Sequence, residues 1–424
     1  MKRILSFIIL ACVTVSCLSG CSFVLPGLET LENEAENKEI IEAKWFVKDE
    51  DIEVEGFKAV NDSKLLQYSM INGKEKELYD VINEAILSGT NRLDVEGKGY
   101  SVETVEKVFS LVKADHPEYF YVTDDFEYKY YVGETDVTII LIKFTDGKVV
   151  DAFDEDGNIV RCADRELIAE RVSDFRKKVT EILEKLPDDG SQLELEKSIH
   201  DYLVDNIEYY SGTINFDAVP LPDYMNVYGG LNEGIGICQT YTKLMQYLCI
   251  LTGINASQVS GYSHEGEAHM WNVVEIEGQW YQLDVTWDDP VLAEDVGEDY
   301  RCYDYFNLTD HEILADHTID DDYNYIPACK STECRPENYF YVKFMGYNAE
   351  PVNLELMADS IEQGDEDYVY IYMGASEVNG DYLSKYFFNY DSPFNEYIDK
   401  KNYSFELGDR YFYSDKYCFI PVER

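Results

Sequence analysis

Positive charge is scarce in this chain: 35 lysines and arginines stand against 84 aspartates and glutamates in 424 residues, a formal net charge of −49 at pH 7. Such a surface repels polyanions, which excludes nucleic acid as a partner. The acids are spread along the chain rather than gathered in one tract, so solvation is their first role. A cationic peptide or lysine-bearing wall material is the polymer they would suit. After its first residues the sequence has no apolar run long enough to cross a bilayer, no internal repeat and no low-complexity tract. Histidine is limited to six residues. His264 and His269 lack the i, i+4 helical spacing of zinc ligands, and Gly261, Ser263 and Gly266 make that stretch a loop. No metal or cofactor is expected. The ten cysteines form no evident disulfide framework; Cys329 and Cys334 enclose a short polar turn and can pair in an oxidising exterior.

The amino terminus sets the expected compartment. Lys2 and Arg3 precede an apolar run over residues 4–15, too short for a spanning helix and suited to the core of a signal peptide. Leu18-Ser19-Gly20-Cys21 then resembles a bacterial lipobox, in which Cys21 is lipidated and becomes the first mature residue. The bland alternative is an ordinary signal peptide with an incidental cysteine. The expectation is a protein outside the cytoplasm, lipid-anchored to a bacterial cell membrane, with residues 1–20 removed and residues 21–45 forming an acidic tether.

Three residues carry the chemistry. Cys238 follows the glycine-bearing run Gly234-Ile235-Gly236-Ile237, and Leu244, Tyr247, Leu248 and Leu251 behind it keep a helical period. The cysteine therefore opens a helix, where unpaired N–H groups and the positive end of the dipole suit an anionic sulfur. His269 starts a strand-like segment, and Asp284 lies in a second one beyond Glu277-Gly278, which reads as a two-residue hairpin turn. With that turn Ile276 faces Gln279 and His269 faces Thr286, so Asp284 falls diagonally from His269 on the same face. An odd-numbered loop would separate them. Thiol, imidazole and carboxylate in this order supply a nucleophile, its base and the group that orients the base.

The blocks Gly236-Ile237-Cys238-Gln239-Thr240-Tyr241, His269-Met270-Trp271-Asn272-Val273 and Trp280-Tyr281-Gln282-Leu283-Asp284-Val285-Thr286-Trp287-Asp288 resemble the transglutaminase-like superfamily, as does the helix-like Ile199-His200-Asp201-Tyr202-Leu203 upstream. Thr240 and Met270 depart from the usual glycine and alanine without removing a reactive group. The resemblance implies a papain-like core, acyl chemistry on an amide through a Cys238 thioester, and an oxyanion site with the Cys238 N–H as one donor. Tyr202 and Tyr228 are candidates for a side-chain donor.

Other residues have plainer readings. Cys249 is a core residue. His200 belongs to a helix-packing face, and His116, His311 and His317 are structural or surface groups. His264 lies on a solvated loop. Two of Trp271, Trp280 and Trp287 are expected to pack rather than line a cleft, and Asp288-Asp289-Pro290 ends a strand.

The expected fold class is α+β: a helix carrying cysteine packed on an antiparallel sheet carrying histidine and aspartate, flanked by two small α+β units. The boundaries are 46–164 for the N-terminal unit, 165–330 for the catalytic domain with its leading helices, and 335–424 for the C-terminal unit. The chain reads as a cell-surface thiol enzyme acting on amide bonds of peptides, proteins or wall peptides, with hydrolysis preferred. The alternatives are an amine-transferring cross-linker and a non-catalytic lipoprotein that binds cell wall or polysaccharide.

Overall fold

The computed structural model describes residues 54 and 56–424 apart from 132–133, 146–148, 154–158, 164, 188–189, 215–221, 290–302, 321–323, 335–338, 342–343, 346–347, 350–353, 364–367, 373–383, 409–411 and 414–416. The expected signal peptide, Cys21 and the expected tether therefore lie outside the described residues. Two compact units are distinguished. The first contains the described residues up to 289 together with 307–331; the second contains 303–306 and those from 332 onward.

The first unit opens with α1 (Leu66–Met70), α2 (Gly73–Leu87) and α3 (Val102–Asp115), followed by a sheet in the order β1 (Arg92–Asp94), β3 (Val137–Phe144), β2 (Val122–Tyr130). Ser101 caps α3 by accepting from the Thr104 N–H, and α3 buries Val105, Val108, Phe109, Leu111 and Val112. Phe109 meets Phe126 of β2 with ring centroids 4.6 Å apart. The sequence pattern suggests two short strands at 120–122 and 128–131. The structure has one strand, Val122–Tyr130, with residues 120–121 in the turn before it and a register shift between Val122 and Phe126. The acids at 124–125 interrupt the apolar alternation there, and Lys113 holds the irregular segment by donating to the carbonyls of Tyr119 and Val122 and pairing with Asp124. The sequence Phe153-Asp154-Glu155-Asp156-Gly157-Asn158 reads as a hairpin turn, and strands β4 (Val149–Phe153) and β5 (Ile159–Ala163) on either side of it pair antiparallel; residues 154–158 are not among those described.

The helix α4 (Arg165–Leu183) precedes α5 (Gln192–Asn206), whose start is fixed by a reciprocal cap: Ser191 Oγ accepts from the Glu194 N–H, and Glu194 accepts from the Ser191 N–H. A two-residue strand β6 (Glu208–Tyr209) then pairs in parallel with β7 (Ile235–Gly236), across α6 (Val227–Glu233). This brings the chain to α7 (Cys238–Leu251), in which Tyr241, Leu244, Met245, Leu248 and Cys249 are fully buried. Under α7 lies an antiparallel sheet in the order β10 (Gln279–Leu283), β9 (Ala268–Ile276), β8 (Ala256–Ser263), β11 (His317–Ile319). A cysteine-bearing helix on an antiparallel sheet, in an α+β fold, is the expected arrangement.

Two polar contacts pin α7 to β9: Thr242 donates its hydroxyl to the Met270 carbonyl at 2.9 Å, and Asn272 donates its side-chain amide to the Thr242 carbonyl at 3.0 Å. The edge strand β11 is delivered from further along the chain. Leu308 bridges to Gln282, Thr309 caps α8 (Asp310–Ile313), and His317 then pairs with Ser263. Gly261 of β8, opposite both His269 and Ile319, has no room for a side chain. A Cβ there would stand 2.0 Å from the Thr318 carbonyl oxygen and 2.7 Å from the Trp271 ring.

The second unit has its own core around Met357, Val369, Phe387, Phe394 and Ile420. Strands Tyr339–Tyr341, Tyr368–Tyr372 and Tyr417–Glu423 form its main sheet, and helix Leu354–Gln363 lies where the sequence suggests a helix, near 353–363. Helix Pro393–Lys401 is an addition to the sequence reading. Its signal is Ser392-Pro393, a cap followed by proline at the first helical position, where the missing N–H is harmless. Neither Cys329 nor Cys334 is in a disulfide, against the pairing their spacing allows; the Cys329 thiol is directed to the Pro327 carbonyl and its backbone N–H to Asp310.

Candidate active site

Cys238 occupies the first position of α7 and is partly exposed. The approach to it is shaped by Thr240, whose hydroxyl accepts from the Ile237 N–H and donates to the Tyr224 carbonyl. The Thr240 side chain fills the space left by two glycines. A Cβ on Gly230 would fall 2.5 Å from its methyl, and one on Gly236 would fall 2.8 Å from it. The departure from glycine at 240 is thus compensated by glycine at 230 and 236.

The turn between β9 and β10 is two residues long, with Glu277 at φ 51° and Gly278 at φ 74°, the left-handed pair that matches the twist of a hairpin. Ile276 faces Gln279 and the register runs without slip to Asn272 opposite Leu283. His269 and Asp284 accordingly meet, with Nε2 of the ring 2.6 Å from Oδ2 of the carboxylate. Oδ1 accepts from the N–H groups of Thr286 and Trp287 at 3.0 and 3.3 Å. With Nε2 committed to Asp284, Nδ1 is the nitrogen left for Cys238.

Burial by itself would keep His269 neutral. The Asp284 charge and hydrogen bond, then the Cys238 sulfur, outweigh it and push the ring up to about 10. Burial also opposes charge on Asp284, but His269 and then His317 hold its carboxyl well below the ordinary carboxylate range. The signs bound the pair. His269, raised on folding, contributes stability that is complete below its ordinary 6.5 and is lost as pH rises through about 10. Asp284, depressed on folding, contributes stability that is complete above its ordinary 3.8 and is lost only in stronger acid.

Several residues sit differently from the sequence reading. His317, read as structural or surface, is fully buried against the same carboxylate, Nε2 to Asp284 Oδ2 at 3.1 Å. Nothing near it in sequence signals this, because it arrives on the far edge strand. Tyr228 lies under Arg171, with the guanidinium 4.2 Å from the ring centre, and Tyr202 is pushed up by burial and then by the Glu181 charge. Among the described tyrosines, Tyr209 is one on which the Cys238 charge acts. It faces Gly236 across the β6–β7 pair, and burial, then the Cys238 charge, push its hydroxyl up to about 12. Its signal is the short strand-like Ile207-Glu208-Tyr209 running beside the segment that enters α7.

His200 does lie on a buried helix face, and it is also clamped: Nδ1 is 3.0 Å from Asp201 Oδ1 and Nε2 3.2 Å from Asp288 Oδ2. Asp288 is therefore a buried partner of α5 as well as part of a turn. Trp271 is fully buried, its indole N–H given to Gln282. Trp287 is half-buried beside His269 and His317, with ring centroids at 5.3 and 4.3 Å, and His264 is exposed on its loop. Donor atoms of His269, Asp284 and His317 lie within 4.8 Å of one another. Both imidazoles already engage Oδ2 of Asp284, so a metal ion would have to displace those two hydrogen bonds.

A helix-borne thiol set against histidine and aspartate on an antiparallel sheet defines a papain-like core. More particularly, residues 178–285 match the family model of the transglutaminase-like superfamily, and the chain carries a transglutaminase-like domain. Among curated proteins it is similar to the kyphoscoliosis peptidase of Homo sapiens, 30% identical over 96 residues, and to that of Mus musculus, 29% identical over 96 residues. Each match covers 20% of this chain and 14% of the relative. Among solved structures it is similar to one described as a candidate cysteine protease from Cytophaga hutchinsonii, at 21% identity and a TM-score of 0.22 over 35% of this chain and 51% of that one. A second, described as a TGase, gives 14% identity and a TM-score of 0.24 over 29% and 34%.

Asp284→Asn keeps the shape of the side chain and removes its charge, leaving burial to dominate the imidazole. The His269 titration midpoint, followed by ¹⁵N NMR of the histidine ring, is expected to fall from about 10 to 6.5 or below. A midpoint that stays near its original value would mean that Asp284 is not what charges the ring.

Proposed function

We propose that this chain is an extracytoplasmic thiol enzyme, anchored to a bacterial cell membrane through lipid on Cys21, that hydrolyses amide bonds of peptides, proteins or wall peptides. The observation that carries the reading is the 2.6 Å His269–Asp284 contact, with the other face of that imidazole turned to a thiol at a helix start. Cys238 attacks as thiolate, and its electron pair forms the carbon–sulfur bond while the carbonyl π pair moves onto oxygen. The backbone N–H of Cys238 and the Tyr209 hydroxyl receive that oxyanion. A phenol pushed up to about 12 keeps its proton at neutral pH and so remains a donor. As the carbon–nitrogen bond breaks, the proton on His269 passes to the leaving amine, giving a Cys238 thioester. Water, deprotonated by His269, then releases the acid and restores the thiolate–imidazolium pair.

Hydrolysis is preferred to amine transfer because water needs no second built site, whereas a lysine acceptor does. The name peptidase borne by the curated relatives favours the same choice. The acidic surface suits lysine-bearing peptides as substrates, and Cys21 would hold the enzyme where such polymers are exposed.

With a library of lysine-containing peptides and wall fragments, wild type is expected to release new amino termini, and Cys238→Ala to release none. Incorporation of a labelled amine without cleavage would favour the cross-linking transferase, and tight wall binding without turnover the binding lipoprotein. Tyr209→Phe is expected to lower kcat by roughly 10²-fold, the usual cost of one oxyanion donor, while alkylation of Cys238 by iodoacetamide is unchanged; an unaltered kcat would remove Tyr209 from the oxyanion site. On expression in a bacterial host, Cys21→Ser is expected to move the protein from the membrane fraction to the soluble one, and retention in the membrane would argue against the lipid anchor.

A further inference from the structure

His317 is 3% exposed and lies between two carboxylates. Its Nδ1 is 2.7 Å from Asp316 Oδ1 and its Nε2 is 3.1 Å from Asp284 Oδ2. Ionised carboxylates only accept hydrogen bonds, and a neutral imidazole has only one N–H to give. Satisfying both contacts therefore requires both ring nitrogens to be protonated. The ring is enclosed by Trp271 and Trp287, at centroid distances of 4.9 and 4.3 Å, and approaches His269 at 5.3 Å.

We infer that His317 is a buried imidazolium that positions Asp284, locking the carboxylate onto His269 while limiting how strongly that carboxylate charges the His269 ring. The inference rests on the triad reading of Cys238, His269 and Asp284. It extends that reading by a fourth group that touches neither the thiol nor a substrate.

Two physical consequences lead to it. First, Asp284 accepts four hydrogen bonds, from Thr286 and Trp287 at Oδ1 and from the two imidazoles at Oδ2. Without His317 the carboxylate keeps fewer restraints and a lone pair is left unmet. Second, the charged groups facing His317 among the described residues include Asp316 at the end of the loop before β11, Asp284 after β10 and His269 from β9. Burial works against charge on His317, the two carboxylates outweigh burial, and His269 opposes them. The opposition is mutual, since two like charges a few ångströms apart each disfavour the other. Removing the His317 charge should therefore hold His269 protonated to higher pH.

The test uses the whole chain with ¹⁵N-labelled histidine. In wild type at pH 7–8, both ring nitrogens of His317 are expected to show protonated shifts; a neutral ring would overturn the inference without any variant. His317→Gln keeps a donor for Asp284 and removes the charge. It is expected to raise the His269 midpoint by about one pH unit and to keep most of the activity. His317→Ala is expected to lower kcat at least 10-fold with little change in KM. An unmoved His269 midpoint in the Gln variant, or equal losses in Ala and Gln, would reduce His317 to packing. These ring titrations are read without substrate, so they stand apart from a failure to find amide turnover, which would count against the triad reading instead. If the Ala variant does not fold, the wild-type shifts and the Gln midpoint still decide the matter.

Discussion

The Asp284 carboxylate is the point on which this domain turns. It is wholly buried, where an ion is costly unless its lone pairs are met and an opposite charge is close. Both conditions are fulfilled by groups from separate elements: His269 from β9, His317 from β11, and the N–H groups of Thr286 and Trp287 just beyond β10. Leaving such a charge without its partners costs about 3–5 kcal/mol in comparable cases. The requirement that charges His269 therefore also holds the edge strand to the sheet and shapes the turn after β10.

That turn is secured by all three of its acids. Four residues after Asp284, Asp288 pairs with the buried His200 of α5, and Asp289 accepts from the Tyr241 hydroxyl of α7 at 2.6 Å. Burial, chiefly, pushes Asp289 up to about 6, and His200, whose burial is outweighed by Asp201 and Asp288, stands at about 9. The segment therefore fastens the leading helix, the cysteine helix and the histidine strand at one place. Thr242 and Asn272 add a shorter link between α7 and β9. The relation of thiol to imidazole is thus fixed by hydrogen bonds to backbone and buried carboxylates as well as by apolar packing, which tolerates sliding more readily.

The order and parity of the reactive groups were legible because they depend on local rules. Glycines before an apolar helical period mark the start of α7, and Glu277-Gly278 marks a two-residue turn whose length decides which faces meet. The irregular β2 and the helix Pro393–Lys401 were less legible, although Ser392-Pro393 carried a usable signal. In β2 two acids concealed the continuity of a strand whose irregular segment Lys113 of α3 supports from elsewhere in the chain.

Sequence by itself determined the α+β class, the cysteine–histidine–aspartate order and the register joining the last two, since each follows from periodicity and a turn spanning a few residues. Tertiary structure alone decided that His317 would share Asp284 and that His200 would be clamped by Asp288. These partners lie 33 and 88 positions apart along the chain. Such separations carry no local pattern, because the side chains meet only when independently formed strands and helices pack, and the cost of burying their charges selects the packing in which they do.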